Sequence, residues 1–215
     1  AADDILQLRA RTKFVGQVVA ASIVVASGIV IQGIHITGLQ MYIDFGFMAY
    51  PITVIYLVSF ANVINLIDGL DGLAAGVTCI AATAFAILAA AGGVYSVLIM
   101  AIAVAASCLA FLRFNFHPAK LFMGDCGSLS LGFALGIVSL SGAMRYAGLA
   151  SIAVPVVVAA VPVIDTFAAI VRRKIKGVPI SSPDKNHIHH VLLQKGFSQR
   201  HVVFDIYLMC VVFAG

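Results

Sequence analysis

The chain contains no glutamate, and charged residues make up only 10% of its 215 positions, against about 25% in a soluble domain. Mean hydropathy is +1.08. That poverty of charge leaves no stretch from which a water-soluble domain could be built. The missing glutamate also excludes the zinc-protease helix H-E-x-x-H, although three histidines crowd into His187-Ile188-His189-His190. No cysteine pair has C-x-x-C spacing, so Cys79, Cys108, Cys126 and Cys210 offer neither a zinc knuckle nor a disulfide framework. Cys79, Cys108 and Cys210 lie in apolar runs and read as small buried hydrophobes. There is no initiator Met and no charged-then-apolar leader; the chain opens Ala1-Ala2-Asp3-Asp4 and stops at Gly215 inside an apolar run. Both ends read as cut, and the expectation is a fragment of a longer protein.

What is present is a succession of apolar stretches long enough to cross a bilayer. They predict about seven spans, at 14–31, 48–66, 74–91, 94–112, 128–143, 151–171 and 202–215. Eighteen helical residues rise about 27 Å, which covers the hydrocarbon core. With that topology every lysine and arginine except Arg145 falls on one side of the membrane. By the positive-inside rule that side is cytoplasmic. Between the first two spans, apolar and polar residues alternate on both sides of Gly38, from Gly33 to Asp44. This predicts a short β-hairpin on the outer surface, with His35 and Asp44 exposed. Gly and Ala recur within the spans, as close helix packing in lipid requires.

The few carboxylates are placed with economy. Asn65-Leu66-Ile67-Asp68-Gly69-Leu70-Asp71-Gly72-Leu73-Ala74-Ala75-Gly76 sets two aspartates and three glycines between two apolar runs. A carboxylate in the hydrocarbon core costs roughly 2.5–3.5 kcal/mol even on the mildest scale. The loop therefore sits at the membrane edge with a positive partner against it. Asp68 and Asp71, three apart, would share a face of a helical turn. Gly69 and Gly72 would let phosphates approach the backbone.

A second cytoplasmic loop runs from Arg113 to Ser128 and ends Gly124-Asp125-Cys126-Gly127-Ser128 ahead of an apolar span. Asp125 there suits either a metal-binding carboxylate at a helix start, where free N–H groups also favour phosphate, or a plain N-cap. Asn115 and Pro118 read as turn formers, Phe122 alone as core or interface, and His117 and His201 as loop residues. The third loop, 172–201, carries the histidines, of which His187 and His190 would share a helical face. Imidazoles there suit zinc, general acid–base work, or phosphate binding as cations. Asp3 and Asp4 are adjacent and would do separate jobs. Asp165 and Asp205 are expected to line the bundle interior near its cytoplasmic mouth.

Taken together, Asp3-Asp4, Asn65 to Gly72, Asn115 to Ser128 and His187 to His190 resemble the motifs of the polyprenyl-phosphate N-acetylhexosamine-1-phosphate transferases (glycosyltransferase family 4), in the family's order. The resemblance covers nearly the whole chain, and four motifs together are specific. It implies an all-α polytopic membrane protein, a bundle of about seven transmembrane helices in a single membrane-embedded domain over 1–215, with cytoplasmic catalytic loops and the outer hairpin. The family has further helices ahead of the acidic pair that this chain does not show. The implied reaction moves a sugar-1-phosphate from a UDP-N-acetylhexosamine to a polyprenyl phosphate at the cytoplasmic leaflet of the inner membrane. It uses Mg²⁺ (or Mn²⁺) and releases UMP. No nucleic acid is implied; a homodimer is left open.

By the same resemblance Asp125 is the metal ligand, and Asp3 and Asp4 form the catalytic acidic pair. Asp68 and Asn65 face the metal and pyrophosphate. Asp71, Asn115 and Phe122 hold the uridine, while His187, His189 and His190 lie near the phosphates and sugar. The Asp-Lys-Asn run before the histidines looks like the GlcNAc-1-phosphate branch, which serves cell-surface polysaccharides such as O-antigen or teichoic acid. The alternative branch is the phospho-MurNAc-pentapeptide transferase of peptidoglycan synthesis.

Two rival readings fit less well. The CDP-alcohol phosphotransferase motif D-G-x-x-A-R is matched by Asp71 to Ala75, but Gly76 stands where its arginine is required. A cation transporter would place carboxylates at the midplane near broken helices, whereas these gather at one surface.

Overall fold

The computed structural model describes residues 10–36, 41–143, Lys174 and 198–214. The chain enters through α1 (Ala10–Ala26) and crosses a hairpin of β1 (Gly33–Ile36) and β2 (Met41–Asp44). A 3₁₀ turn (Gly46–Met48) then leads into α2 (Ala49–Ile67), followed by α3 (Leu73–Ala91), α4 (Tyr95–Asn115) and α5 (Gly124–Ala143). The last described helix is α6 (Gln199–Ala214). The described chain is mostly helical. Four of its stretches are long and apolar enough to cross a membrane: Gly46–Ile67, Leu73–Ala91, Tyr95–Asn115 and Gly124–Gly142. The predicted span at 151–171 and the hairpin tip at 37–40 lie outside the described residues.

The hairpin forms as the alternation predicts. Its strands are antiparallel, with Gly33 opposite Asp44 and His35 opposite Tyr42, and every residue of β2 is exposed. Asp44 closes the following turn by accepting the Gly46 N–H at 2.9 Å.

Helix edges follow local chemistry. Pro51 falls in the first turn of α2, where its missing N–H costs nothing. Gly72, at φ +81°, caps the start of α3 in a left-handed conformation that glycine adopts without strain. Two helices start four residues earlier than predicted. The first helix runs Ala10–Ala26 rather than 14–31, and the fifth starts at Gly124 rather than 128. Gly-Asp-Cys-Gly-Ser reads as loop by polarity, yet a first helical turn tolerates such residues because its N–H groups need no intrahelical partner.

Within the membrane-crossing stretches, 67% of the α3 window is buried but only 22% of that of α4. So α3 is the axis of the bundle, and α4 turns a ridge of Tyr95, Ile99, Ile102 and Leu109 outward, where lipid would cover it. The burial of α3 rests on small residues: Ala74, Ala75, Gly76, Ala81, Ala82 and Ala89 let α4, α5 and α6 approach it closely. A second close approach joins α2 to α5. A Cβ on Gly132 would lie 2.5 Å from the Phe60 carbonyl, and one on Gly136 3.2 Å from Leu57. Tyr56 and Ser139 share a 2.6 Å hydrogen bond across the same interface. Cys79, Cys108 and Cys210 are buried, as their apolar settings predict.

Candidate active site

An up-and-down bundle brings alternate helix ends to one face. Here the start of α1, the α2–α3 junction, the α4–α5 junction and the start of α6 all meet, tied by hydrogen bonds between residues far apart in sequence. Six of the sequence-predicted site residues lie in this region: Asn65, Asp68, Asp71, Asn115, Phe122 and Asp125. Asp3, Asp4, His187, His189 and His190 lie outside the described residues, as does Asp165.

Asn65 sits in the last turn of α2, and its Oδ1 accepts from Ser128 Oγ at 2.6 Å. Ser128, one turn into α5, thus links the two acidic motifs. Asp68 follows as the residue capping α2, with ψ 43° that leaves the helix. Its carboxyl is raised from 3.8 to about 6, chiefly by burial, then by the negative charges of Asp125 and Asp71. Asp68 therefore feels the charge of two other carboxylates, Asp71 of its own junction and Asp125 at the start of α5. Asp125, in the first turn of α5, receives the Lys13 ammonium of α1 at 2.6 Å. Among the described residues, no group of three or more His, Cys, Asp or Glu side chains is gathered closely enough to hold a metal alone. A site completed by substrate phosphates and water would not need one.

Asp71 is held from the other junction. Its Oδ2 lies 2.8 Å from His117 Nδ1 and accepts the Ala119 N–H at 3.2 Å. Asn115 is not a loop residue: it ends α4 and is 3% exposed. Its Oδ1 accepts the Gly72 N–H at 3.0 Å while its Nδ2 donates to the Leu121 carbonyl at 2.8 Å. The Gly72 carbonyl in turn accepts from the Tyr207 hydroxyl of α6 at 2.5 Å. Asn115 already occupies the Gly72 N–H, so a phosphate approaching this turn would not find that donor open. Gly76 has a packing reason as well: a Cβ there would lie 1.9 Å from Tyr207 Oη.

Phe122, on the α4–α5 junction, stands 79% exposed, with its aromatic ring open to a stacking partner. Asp205 departs from expectation. It is exposed on α6, because the buried stripe of that helix is Val202, Val203, Ile206 and Cys210.

A cavity of about 690 Å³ opens beside Asp125, lined by Arg11, Lys13, Phe14, Val15, Gln17, Asn62, Asn65 and Leu129 besides. It adjoins a second of about 360 Å³ that shares Gln17 and Leu129 and continues along Gly16, Ala20, Ala61, Phe133, Ala134 and Ile137. Together they form a groove between α1, α2 and α5, cationic at one end and apolar along the rest. Sequence reasoning missed Lys13, His117, Ser128 and Tyr207 as members of this site, and Arg200, whose Nε donates to the His117 carbonyl. His117 sat within a quoted motif and could have been marked. Nothing local distinguishes Tyr207 from other interfacial tyrosines.

The family model for glycosyl transferase family 4 matches residues 1–143. The chain belongs to this family. Among curated relatives of this glycosyl transferase family 4 chain, a probable undecaprenyl-phosphate N-acetylglucosaminyl 1-phosphate transferase of Bacillus subtilis (strain 168) is 45% identical over 212 residues. That match covers 99% of the chain and 59% of the relative. A decaprenyl-phosphate N-acetylglucosaminephosphotransferase of Mycolicibacterium smegmatis is 39% identical, covering 96% of the chain and 56% of the relative. A phospho-N-acetylmuramoyl-pentapeptide-transferase of Halalkalibacterium halodurans is 35% identical over 97% of the chain and 63% of its own length. The chain thus spans little more than half the length of the curated relatives it matches.

Proposed function

We propose that the full protein transfers N-acetylglucosamine-1-phosphate from UDP-N-acetylglucosamine to undecaprenyl or another polyprenyl phosphate, releasing UMP, as an early membrane step in making a cell-surface polysaccharide. The observation that carries the reading is the convergence of Asp68, Asp71 and Asp125 from two helix junctions, beside a groove that is cationic at its mouth and apolar along its length. A soluble, doubly charged donor and a lipid acceptor need such a meeting place. The identities to GlcNAc-1-phosphate transferases support the donor. We further propose seven spans, a site facing the cytoplasm and an inner-membrane location, on the one-sided distribution of lysine and arginine.

The chemistry asks for positioning and charge neutralisation more than for covalent help. The mutual repulsion at Asp68 fits a divalent cation. Asp125 with Asp68 would hold Mg²⁺, or Mn²⁺, with remaining positions filled by phosphate oxygens and water. A cation there neutralises pyrophosphate charge when bound. Lys13 and Arg11 would attract the acceptor's phosphate to the groove mouth, and the apolar trough would take its chain. Asp3 or Asp4 would prepare that phosphate for attack. Asn65 would orient the pyrophosphate, Asp71 and the exposed Phe122 ring the uracil, and His187, His189 and His190 the sugar and phosphates. Buried Asn115 would support the uridine site by fixing the Gly72 turn. A lipid-phosphate oxygen then bonds to the sugar-bearing phosphorus, the bond from that phosphorus to the bridging oxygen breaks, and UMP departs.

The test is a donor panel on membranes containing the full-length protein: UDP-GlcNAc, UDP-GalNAc and UDP-MurNAc-pentapeptide, each with and without polyprenyl phosphate. UMP release that needs both UDP-GlcNAc and the lipid supports the reading. Turnover with UDP-MurNAc-pentapeptide alone would move the protein to the peptidoglycan branch.

A further inference from the structure

Among the described residues Asp71 accepts more side-chain hydrogen bonds than any other carboxylate at this face, and what holds it has no assigned part in the reaction. Its Oδ2 is committed twice, to His117 Nδ1 at 2.8 Å and to the Ala119 N–H at 3.2 Å. Among the described residues its Oδ1 makes no hydrogen bond. His117 is itself secured, because its carbonyl accepts from Arg200 Nε of α6 at 3.0 Å. The adjoining Gly72 peptide is pinned on both sides, by Asn115 and by Tyr207. The backbone beside Asp71 is thus fixed, and its side-chain rotation is limited by the imidazole together with the weaker Ala119 N–H.

We propose that His117 is a positioning residue for the nucleotide-sugar: it holds one oxygen of Asp71 so that the other is presented to the donor in a single orientation. This rests on the assignment of Asp71 to the uridine. A carboxylate held in this way loses no rotational freedom when the ligand arrives. One that spins freely must be ordered at that moment. The effect belongs to donor binding and not to the chemical step, so it falls on one Michaelis constant. The imidazole must carry its proton on Nδ1 to donate. An asparagine amide offers an N–H at nearly the same distance from the backbone.

The experiment uses full-length protein in membranes, varying UDP-GlcNAc and polyprenyl phosphate separately. His117→Ala should raise the UDP-GlcNAc KM roughly tenfold or more, as loss of a hydrogen bond to a charged group implies. The polyprenyl-phosphate KM and kcat should stay near their original values. His117→Asn should recover most of the loss, and thermal unfolding of both variants monitors the fold. In an Asp71→Asn background, His117→Ala should add little, because the two act as one unit. An unmoved UDP-GlcNAc KM in His117→Ala, an equal rise in both KM values, or a full additional effect in the Asp71→Asn background would each overturn the proposal. Absence of turnover by the unsubstituted protein would instead overturn the donor reading, and the His117 proposal would fall with it.

Discussion

Lys13 Nζ lies 2.6 Å from Asp125 Oδ2, joining the start of α1 to the start of α5 across 112 residues. The ammonium stands against the carboxylate assigned to the metal, and both line the cavity between α1, α2 and α5. It would therefore compete with a divalent cation held there while adding positive charge at the groove mouth. Half-exposed ion pairs are worth about 0.2–1 kcal/mol, so Lys13→Met should have severalfold effects of opposite sign. Half-maximal activity should need less Mg²⁺, and the polyprenyl-phosphate KM should rise. Parallel titrations of metal and lipid on the variant check this; no change in either contradicts it.

Asp68 gives a pH dependence. Burial first, and then the charges of Asp125 and Asp71, lift its carboxyl from 3.8 to about 6. The folded protein therefore holds this proton more tightly than the unfolded chain does. The resulting stabilisation is complete below the unfolded value and is lost as pH rises through about 6. A divalent cation bound at this carboxylate would displace the same proton. Apparent Mg²⁺ affinity should strengthen between pH 5 and 7, about one unit either side of that value, and level off above. Calorimetric titration of Mg²⁺ at several pH values checks the slope; a flat profile counts against Asp68 as a partner of the metal.

Asn115 is expected to matter for stability as much as for binding. Replacing it with Ala leaves the Gly72 N–H and the Leu121 carbonyl without their side-chain partners. A buried donor left unpaired costs about 1–3 kcal/mol. Asn115→Ala should lower the unfolding temperature of the purified protein and raise the UDP-GlcNAc KM. A raised KM with no loss of stability would make Asn115 a simple ligand contact.

The glycines separate into two kinds. Gly76→Ala would drive a methyl to within 1.9 Å of Tyr207 Oη, forcing α6 away and breaking the Tyr207–Gly72 bond. Overpacking of this sort costs about 1–3 kcal/mol. Gly142→Ala meets only Val97 at 3.9 Å and gains helix propensity. Thermal unfolding should rank Gly76→Ala well below the parent and Gly142→Ala level with it or above.

Much of this arrangement could be read from the chain, for a physical reason. Lipid demands long apolar runs, and the four helices that can cross a membrane coincide with runs visible by eye. The hairpin follows from strict alternation. Asp68, Asp71 and Asp125 stood out because a charge beside lipid needs a cause. What escaped was everything set by distance. The partner of His117 is 46 residues away, that of Ser128 is 63, and the Tyr207 hydroxyl reaches a carbonyl 135 residues earlier. No local pattern encodes such pairs. The helical start at Gly124 escaped for a different reason, since polar residues in a first turn look the same as a loop.

The central claim is that the bond broken lies between the two phosphates of the donor. The most direct measurement gives the full-length protein UDP-GlcNAc with ³²P in the phosphate attached to the sugar, together with polyprenyl phosphate and Mg²⁺. The account predicts that the label moves to the lipid and that unlabelled UMP is released. Label recovered in UDP, with unlabelled sugar on the lipid, would mean glycosyl transfer and would contradict it.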